Sequence, residues 1–200
     1  MISINMKIED PASFQRGTLP ENAERLNTPK SLEELMKKAS PILVILCMVL
    51  FVVMFLKTFV SKTLVIHPLA VAGGFLIGFL ALIIHEWLHA VVYPKEAHVT
   101  IGKVKGKIQF VALCSYPMVR ARFILMCLLP FVLGVLPLLI FIISPAEATV
   151  WNGLMFGMAG VGMVSPFPDV YNTLIVLRQA KKNDRIMFHE DDMYRIKWKM

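Results

Sequence analysis

The residues best suited to chemistry are His85, Glu86 and His89, which form the pattern His-Glu-Trp-Leu-His. Residues four apart lie on one face of a helix, so both imidazoles can bind the same zinc ion. Glu86 directly follows the first histidine and can reach a water molecule beside that ion. The alternative is an interfacial histidine pair that hydrogen-bonds to the backbone or to lipid headgroups. Because ionisable residues near a bilayer interior are usually retained for function, we favour the metal site.

A third ligand has to come from elsewhere, because a catalytic zinc ion usually has three protein ligands. Asp169 directly follows the segment Ser165-Pro-Phe-Pro168, in which two prolines remove backbone donors and break a helix. Irregular backbone of this kind allows a carboxylate to line a polar cavity. Asp169 is therefore our candidate, and the alternative is an aspartate that only caps the following helix. Other carboxylates to consider are Glu96, Asp184, Glu190, Asp191 and Asp192.

Asn172 is a further candidate for the site. It lies three residues after Asp169, which is about one helical turn. Its side chain could orient Asp169 or a substrate carbonyl group, and a local cap or a helix-packing contact is an equally good explanation.

The segments that carry these residues are apolar enough to lie in a lipid bilayer. Of the 200 residues, 56% are hydrophobic and 18% are charged, and the mean hydropathy is +0.64. A bilayer core needs about 20 apolar residues per helix, and four runs contain no Lys, Arg, Asp or Glu. These runs are 39–56, 63–85, 123–146 and 148–168. We therefore predict an all-α membrane protein with four transmembrane helices, at about 41–60, 67–92, 123–143 and 148–177.

The basic residues predict the orientation of these spans. Of the 21 Lys and Arg residues, 19 lie before the first span, between the second and third, or after the fourth. The other two are Lys57 and Lys62. The positive-inside rule therefore places both termini in the cytosol. The net charge of +7 is spread over short segments beside apolar runs, so we expect the lipid bilayer and not nucleic acid as a partner.

The extramembrane segments are too short for a separate catalytic domain. Residues 1–40 are a cytosolic N-terminal segment and residues 178–200 a cytosolic tail, so any chemistry must lie in or beside the membrane domain, 41–177. In the N-terminal segment, Ser31 and Glu34 have capping-box spacing ahead of apolar residues at helical intervals. This spacing predicts a short amphipathic helix that ends where Pro41 opens the first span.

The loop between the second and third spans has a strand-like pattern. In residues 98–113, β-branched and aromatic residues flank Lys105-Gly106, which predicts a cytosolic β-hairpin with a tight glycine turn. An isolated hairpin is only marginally stable, so we expect it to pack against the membrane surface or the helices.

Repeated glycines predict where membrane helices pack closely. They are Gly74 and Gly78 in the second span and Gly153, Gly157 and Gly160 in the fourth. This spacing is typical of helix interfaces in membranes. In one straight helix Asp169 would lie about half a turn from the second glycine stripe, so the proline break has to redirect it.

Two motifs and the loop between them resemble a known family. The motifs are His85-Glu-Trp-Leu-His89 on the second span and Ser165-Pro-Phe-Pro-Asp-Val-Tyr-Asn172 on the fourth. With the basic hairpin loop, they resemble the bacterial family named "putative zincin peptidases", membrane proteins of unknown function. The general scheme is similar to that of the site-2 proteases, which typically have Gly where this chain has Val170. The resemblance implies His85, His89 and Asp169 as zinc ligands and Glu86 as the base.

This resemblance implies an intramembrane zinc metallopeptidase. Such an enzyme would hydrolyse peptide bonds of membrane proteins or peptides near the cytosolic face of a bacterial cell membrane. In site-2 proteases extended substrate segments pair with edge strands, which implies a similar role for residues 98–113.

Two other functional classes are open. The first is a non-proteolytic membrane regulator or scaffold that keeps a zincin-like metal site, and the intact Glu86 argues against it, because binding alone needs no base. The second is a small transporter, whose polar residues we would expect nearer the bilayer midplane and on several helices.

The distribution of basic residues predicts the accessibility of the loops. In intact cells, a membrane-impermeant thiol reagent should label cysteines introduced at positions 62 and 146. Cysteines at positions 105 and 190 should react only after permeabilisation. Labelling of position 105 from outside would contradict the topology and the cytosolic placement of the site.

Overall fold

Helices make up most of the chain and coincide with its apolar runs. The computed structural model describes residues 1–106, 110–190 and 192–197. The helices are α1 (Leu32–Ser61), α2 (Pro68–Leu80), α3 (Leu82–Val92), α4 (Arg120–Leu128), α5 (Val132–Ile143), α6 (Thr149–Val164) and α7 (Phe167–Gln179). Prolines mark several of the divisions, because proline has no N–H to donate. Pro68 starts α2, Pro130 lies between α4 and α5, and Pro166 lies between α6 and α7.

Three helical stretches in the described part of the chain are long and apolar enough to cross a membrane. They are Leu32–Ser61, Pro68–Val92 and Arg120–Ile143. The second stretch joins α2 to α3 across Ala81, and the third joins α4 to α5. Their length and composition are those of a membrane protein.

The segment predicted as the fourth span, 148–177, is divided into two helices. A turn at Ser165 and Pro166 separates α6 from α7, and Pro168 lies in the first turn of α7, where a missing N–H breaks no helical hydrogen bond. The helix break predicted from the prolines is thus confirmed. With 16 and 13 residues, neither helix alone has the length of a span, so the count of four spans stays a prediction.

The described residues also contain strands in two sheets. The strands are β1 (Ile2–Ile8), β2 (Ala23–Arg25), β3 (Val99–Val104), β4 (Phe110–Leu113), β5 (Met118–Val119), β6 (Arg185–His189) and β7 (Asp192–Ile196). One sheet has the order β1-β3-β4 and the other the order β2-β7-β6-β5. β1 and β3 are parallel, and the other pairs are antiparallel.

The expectation of an all-α fold is therefore wrong. Residues 1–40 contain β1 and β2, and the C-terminal tail contains β6 and β7. β1 and β2 have partners far away in sequence: Ile2 is opposite Val99, and Ala23 is opposite Ile196, whereas β6 and β7 pair with each other. Pairings over this range leave little local signal, because strand preference depends on what a strand packs against. The segment boundaries after residues 40 and 177 stay predictions.

The amphipathic helix predicted before the first span is the first part of α1. Ser31 Oγ accepts the Glu34 N–H at 3.1 Å, as the capping-box spacing predicted, and Glu34 Oε2 accepts the Lys30 N–H at 2.7 Å. The expectation that this helix ends at Pro41 is wrong, because α1 runs through Pro41 to Ser61.

Strands β3 and β4 pair antiparallel within residues 98–113, with Thr100 opposite Leu113. Gly106 has a φ of +74°, which glycine adopts without a steric penalty because it has no Cβ. Residues 107–109 of the predicted hairpin lie outside the described residues. β1 joins the other side of β3 and makes the sheet three-stranded.

The chain divides into two compact units. The sheet unit consists of residues 1–38, 86–129 and 168–200, and the helix unit of residues 39–85 and 130–167. Each has its own apolar core. Fully buried side chains include Phe123 and Ile186 in the sheet unit and Val65 and Phe141 in the helix unit.

Glycines allow α2 and α6 to approach each other closely in the helix unit. A Cβ atom added to Gly74 would collide with the carbonyl oxygen of Leu154, and one added to Gly157 with that of Val71. Gly134 of α5 meets the backbone of α6 in the same way. The packing role predicted for the glycine stripes is thus confirmed at Gly74 and Gly157.

Lys57 of α1 forms hydrogen bonds at the end of α5. Its Nζ donates to the carbonyl oxygens of Phe141 and Ser144, the latter at 2.7 Å, and lies 3.3 Å from Asn152 Oδ1. The last carbonyl groups of a helix have no intrahelical partner, so a cation satisfies them and complements the helix dipole. Lys57 therefore stabilises the helix unit.

The glycine contacts predict a position-specific effect on stability. Gly74→Ala should lower the free energy of unfolding in detergent by about 1–3 kcal/mol, because its Cβ meets backbone that cannot move aside. The measurement is thermal unfolding followed by tryptophan fluorescence.

Gly73→Ala is the matched control for this experiment. A Cβ at Gly73 meets only the end of the Leu154 side chain, at 3.3 Å, which can shift. This variant should unfold close to the wild-type temperature. Equal melting of both variants and the wild type would contradict the close α2–α6 contact.

Candidate metal centre

His85 and His89 lie one turn apart on α3, and both are buried, with 5% and 7% of their surface exposed. The division between the two units falls between His85 and Glu86, inside this continuous helix. The helix itself therefore fixes the two imidazoles on one face, as the spacing predicted.

The ring of His89 is held in a defined orientation within the sheet unit. Its Nδ1 lies 2.8 Å from the carbonyl oxygen of Met126 on α4. A carbonyl oxygen can only accept, so Nδ1 carries the proton and donates it. In a neutral ring Nε2 then has a free electron pair, and it lies 3.6 Å from Asp169 Oδ2. This is the arrangement that metal-binding histidines usually adopt.

Asp169 contacts His89 within the sheet unit. The carboxylate is in the first turn of α7, just after the break at Ser165 and Pro166, and it is half-buried. One ligand atom each from His85, His89 and Asp169 lie within 4.8 Å of one another. The structure thus brings together the three residues that the sequence singled out as ligands.

These three residues fit a zinc ion by their chemistry and spacing. Zinc binds imidazole nitrogen and carboxylate oxygen at about 2.0–2.2 Å, so two ligands of a tetrahedral site are about 3.4 Å apart. The separation of 3.6 Å between His89 Nε2 and Asp169 Oδ2 is close to this value. The carboxylate also supplies negative charge where apolar surroundings solvate a cation poorly.

Ser165 and Met126 support the site, and neither was predicted from the sequence. In the helix unit, Ser165 Oγ lies 3.5 Å from His85 Nδ1, on the ring atom opposite Nε2. Ser165 stands in a motif already noted, so its polar side chain beside two prolines was an available signal. Met126 acts through its backbone oxygen, which every residue type has, so sequence could not identify it.

The other site candidates lie outside the ligand group. Glu86 follows His85 on α3 and is half-buried. Asn172 on α7 is half-buried and lines a pocket of about 430 Å³ in the sheet unit, together with Lys30, Leu35 and Phe188. Their predicted roles as base and as orienting residue remain predictions.

The alternative carboxylates have other surroundings. Glu96 is exposed, and the buried Asp184 accepts the Lys181 N–H at 2.8 Å. Asp192 pairs with Arg25 and Glu190 with Arg16. Asp191 lies outside the described residues. Among the residues that the structure describes, Asp169 is the carboxylate grouped with the two histidines.

The fold and the site define a membrane protein with a cluster of two histidines and one carboxylate that could hold a metal ion. The family described as "Putative zincin peptidase" matches residues 78–184, and the chain belongs to this family. The matched region includes all three residues of the cluster and Glu86. Comparison with curated proteins and with solved structures gives no match.

The cluster predicts that Asp169 matters for metal affinity. Asp169→Asn should weaken zinc binding more than about tenfold, because a neutral amide oxygen replaces an anionic ligand. Zinc per chain, measured by elemental analysis after mild chelation, provides the test.

Glu96→Gln is the control, because Glu96 is exposed and was the other ligand candidate near the second span. It should keep the wild-type zinc content. Full zinc in Asp169→Asn together with loss in Glu96→Gln would transfer the ligand role to Glu96.

Proposed function

We propose that this protein is an intramembrane zinc metallopeptidase. Its substrates would be membrane proteins or peptides, cleaved near the cytosolic face of a bacterial cell membrane. The observation that carries the proposal is the convergence of His85, His89 and Asp169 beside Glu86, on helices long and apolar enough to span a bilayer. Membership of the zincin peptidase family supports the same reaction class.

The residues that would hold zinc are His85, His89 and Asp169. When bound, zinc supplies Lewis acidity, which polarises a carbonyl group and makes water more acidic. Met126 and Ser165 contribute by keeping the two imidazole rings oriented, so that the ligand atoms need little rearrangement.

Glu86 would carry the proton during hydrolysis. As a carboxylate it can accept a proton from the attacking water and later donate it to the leaving amine. Its position directly after His85 on α3 keeps it next to the ligands, and its side chain is half-buried. A substrate helix would have to unwind around the scissile bond before cleavage, because the carbonyl group of that bond accepts a helical hydrogen bond.

We propose that strand β4 binds the unwound substrate. It forms one edge of the sheet β1-β3-β4 among the described residues, so it offers backbone groups on its free side. An extended peptide can add to such an edge as a further strand. The substrate would thus be the fourth strand of this sheet, next to β4.

Strand pairing supports four crossings with both termini on one side of the membrane. β1 pairs with β3, β2 with β7, and β5 with β6. Paired strands lie on the same side, so the chain must cross an even number of times between β2 and β3 and again between β5 and β6. Two of the three long apolar stretches precede β3 and one follows β5, which supports a return crossing through α6 and α7 as part of the proposal. The excess of basic residues in the same segments favours the cytosol for this side.

Glu86→Gln is the decisive variant for the proposed chemistry. Gln keeps the shape of the side chain and loses the base, so zinc content should be unchanged while turnover falls by about 10²–10⁴-fold or more. The assay is cleavage of candidate transmembrane peptides by the reconstituted full-length protein, with products identified by mass spectrometry.

Equal turnover by wild type and Glu86→Gln would refute the proposal and point to a contaminant. A wild type that binds zinc and cleaves none of the peptides would favour the non-proteolytic regulator or scaffold instead.

A further inference from the structure

An apolar cleft lies in the helix unit, lined by α1, α2, the start of α3 and α6. Its volume is about 580 Å³, and it is open on one side. The lining includes Leu50 and Met54 of α1, Phe79 of α2, and Gly160 and Val164 of α6. This volume exceeds that of any single side chain, so the cleft has room for a stretch of chain with bulky residues.

We propose that this cleft is the substrate subsite for the apolar segment of the membrane peptide beside the scissile bond. This inference rests on the proposed peptidase function and adds to it a place and a chemical preference for the substrate.

The lining defines the chemistry of the occupant. It contains no charged side chain, and its polar side-chain groups are the thiol of Cys47 and the hydroxyl of Ser165. A charged residue placed there would lose its hydration without gaining a partner, so it is excluded. Lipid tails are as apolar as Leu, so selection depends on shape and packing more than on the hydrophobic effect.

The connection to the metal centre favours a peptide over a lipid tail. Ser165 lines the cleft, and its hydroxyl lies 3.5 Å from Nδ1 of His85, a candidate ligand in the same unit. Leu82, at the same end, precedes His85 by one turn of α3. A chain that fills the cleft therefore reaches the side of His85, and because the proposed reaction cleaves a peptide bond, the expected occupant is a membrane peptide.

Gly160 of α6 keeps the cleft wide, because it has no side chain. A Cβ on Gly160 would meet the ring of Phe75 at 3.0 Å, so a larger side chain would enter the lined space. On the other wall, α1 covers the cleft only loosely: along α1, Ala39 and Leu50 are its buried residues, and Phe51 beside the cleft is 61% exposed. Cys47 on this wall is exposed, so it can be changed with little effect on packing.

Photo-crosslinking tests the subsite without requiring catalysis. The full-length Glu86→Gln protein is placed in phosphatidylcholine nanodiscs with a synthetic membrane-spanning Leu-Ala peptide that contains one benzoylphenylalanine. Crosslinked residues are identified by mass spectrometry. We expect them to map to the cleft lining, and a Lys placed next to the photoreactive residue should abolish the crosslink.

Cys47→Trp fills the mouth of the cleft and should remove the crosslink. Ile45→Trp is the matched control, because Ile45 is 60% exposed on the same helix and does not line the cleft. Gly160→Leu fills the cleft from α6 and should have the same effect as Cys47→Trp. Thermal unfolding of each variant separates blocking from misfolding.

Crosslinks distributed over all exposed apolar helix surfaces, and unaffected by both filling variants, would overturn the inference. Crosslinking of the lining by a phospholipid with a photoreactive tail, and not by the peptide, would identify a lipid site and overturn it too. Cleavage that persists in wild type without crosslinks in the cleft refutes the subsite alone. Specific crosslinks without any cleavage by wild type refute the peptidase and leave a peptide-binding cleft.

Discussion

The cluster of His85, His89 and Asp169 is constrained by the free energy that is required to bury ionisable side chains among apolar helices. In such surroundings a histidine or an aspartate has to be hydrogen-bonded, paired or coordinated. His85 and His89 are almost fully buried, and Nδ1 of each ring lies beside a polar group, Ser165 Oγ for His85 and the Met126 carbonyl oxygen for His89. Much of the local architecture serves this requirement, because α3, α4 and α7 each place a polar group at the same small site.

The helix break before α7 lies in the chain next to the cluster. Without the turn at Ser165 and Pro166, Asp169 would continue on the face set by α6. The turn both directs the carboxylate to His89 and leaves Ser165 beside His85. The glycines of α2 and α6 contribute separately, because they hold these two helices close in the unit that contains Ser165.

Local patterns made part of this arrangement predictable. The histidines are four residues apart, and in any helix residues with that spacing lie on one face. Asp169 was accessible to prediction because prolines mark an irregular backbone. Met126 was not, because it acts through a carbonyl group that carries no residue-type signal. The hairpin strands β3 and β4 were predicted, whereas β1 and β2 were missed because their partners are distant in sequence. The alternation of Ile2, Ile4 and Met6 with polar residues is nevertheless a strand signal.

The pairing of β2 with β7 also affects how the protein is made. Ala23 leaves the ribosome 173 residues before its partner Ile196, which at about 5–20 residues per second is a delay of about 10–30 s. During this time β2 has an unpaired edge, while every helix of the chain is synthesised and inserted. In the proposed topology, a chain with one span missing would have β2 and β7 on opposite sides of the bilayer. In that topology the pairing of β2 with β7 can form only after all the spans have been inserted.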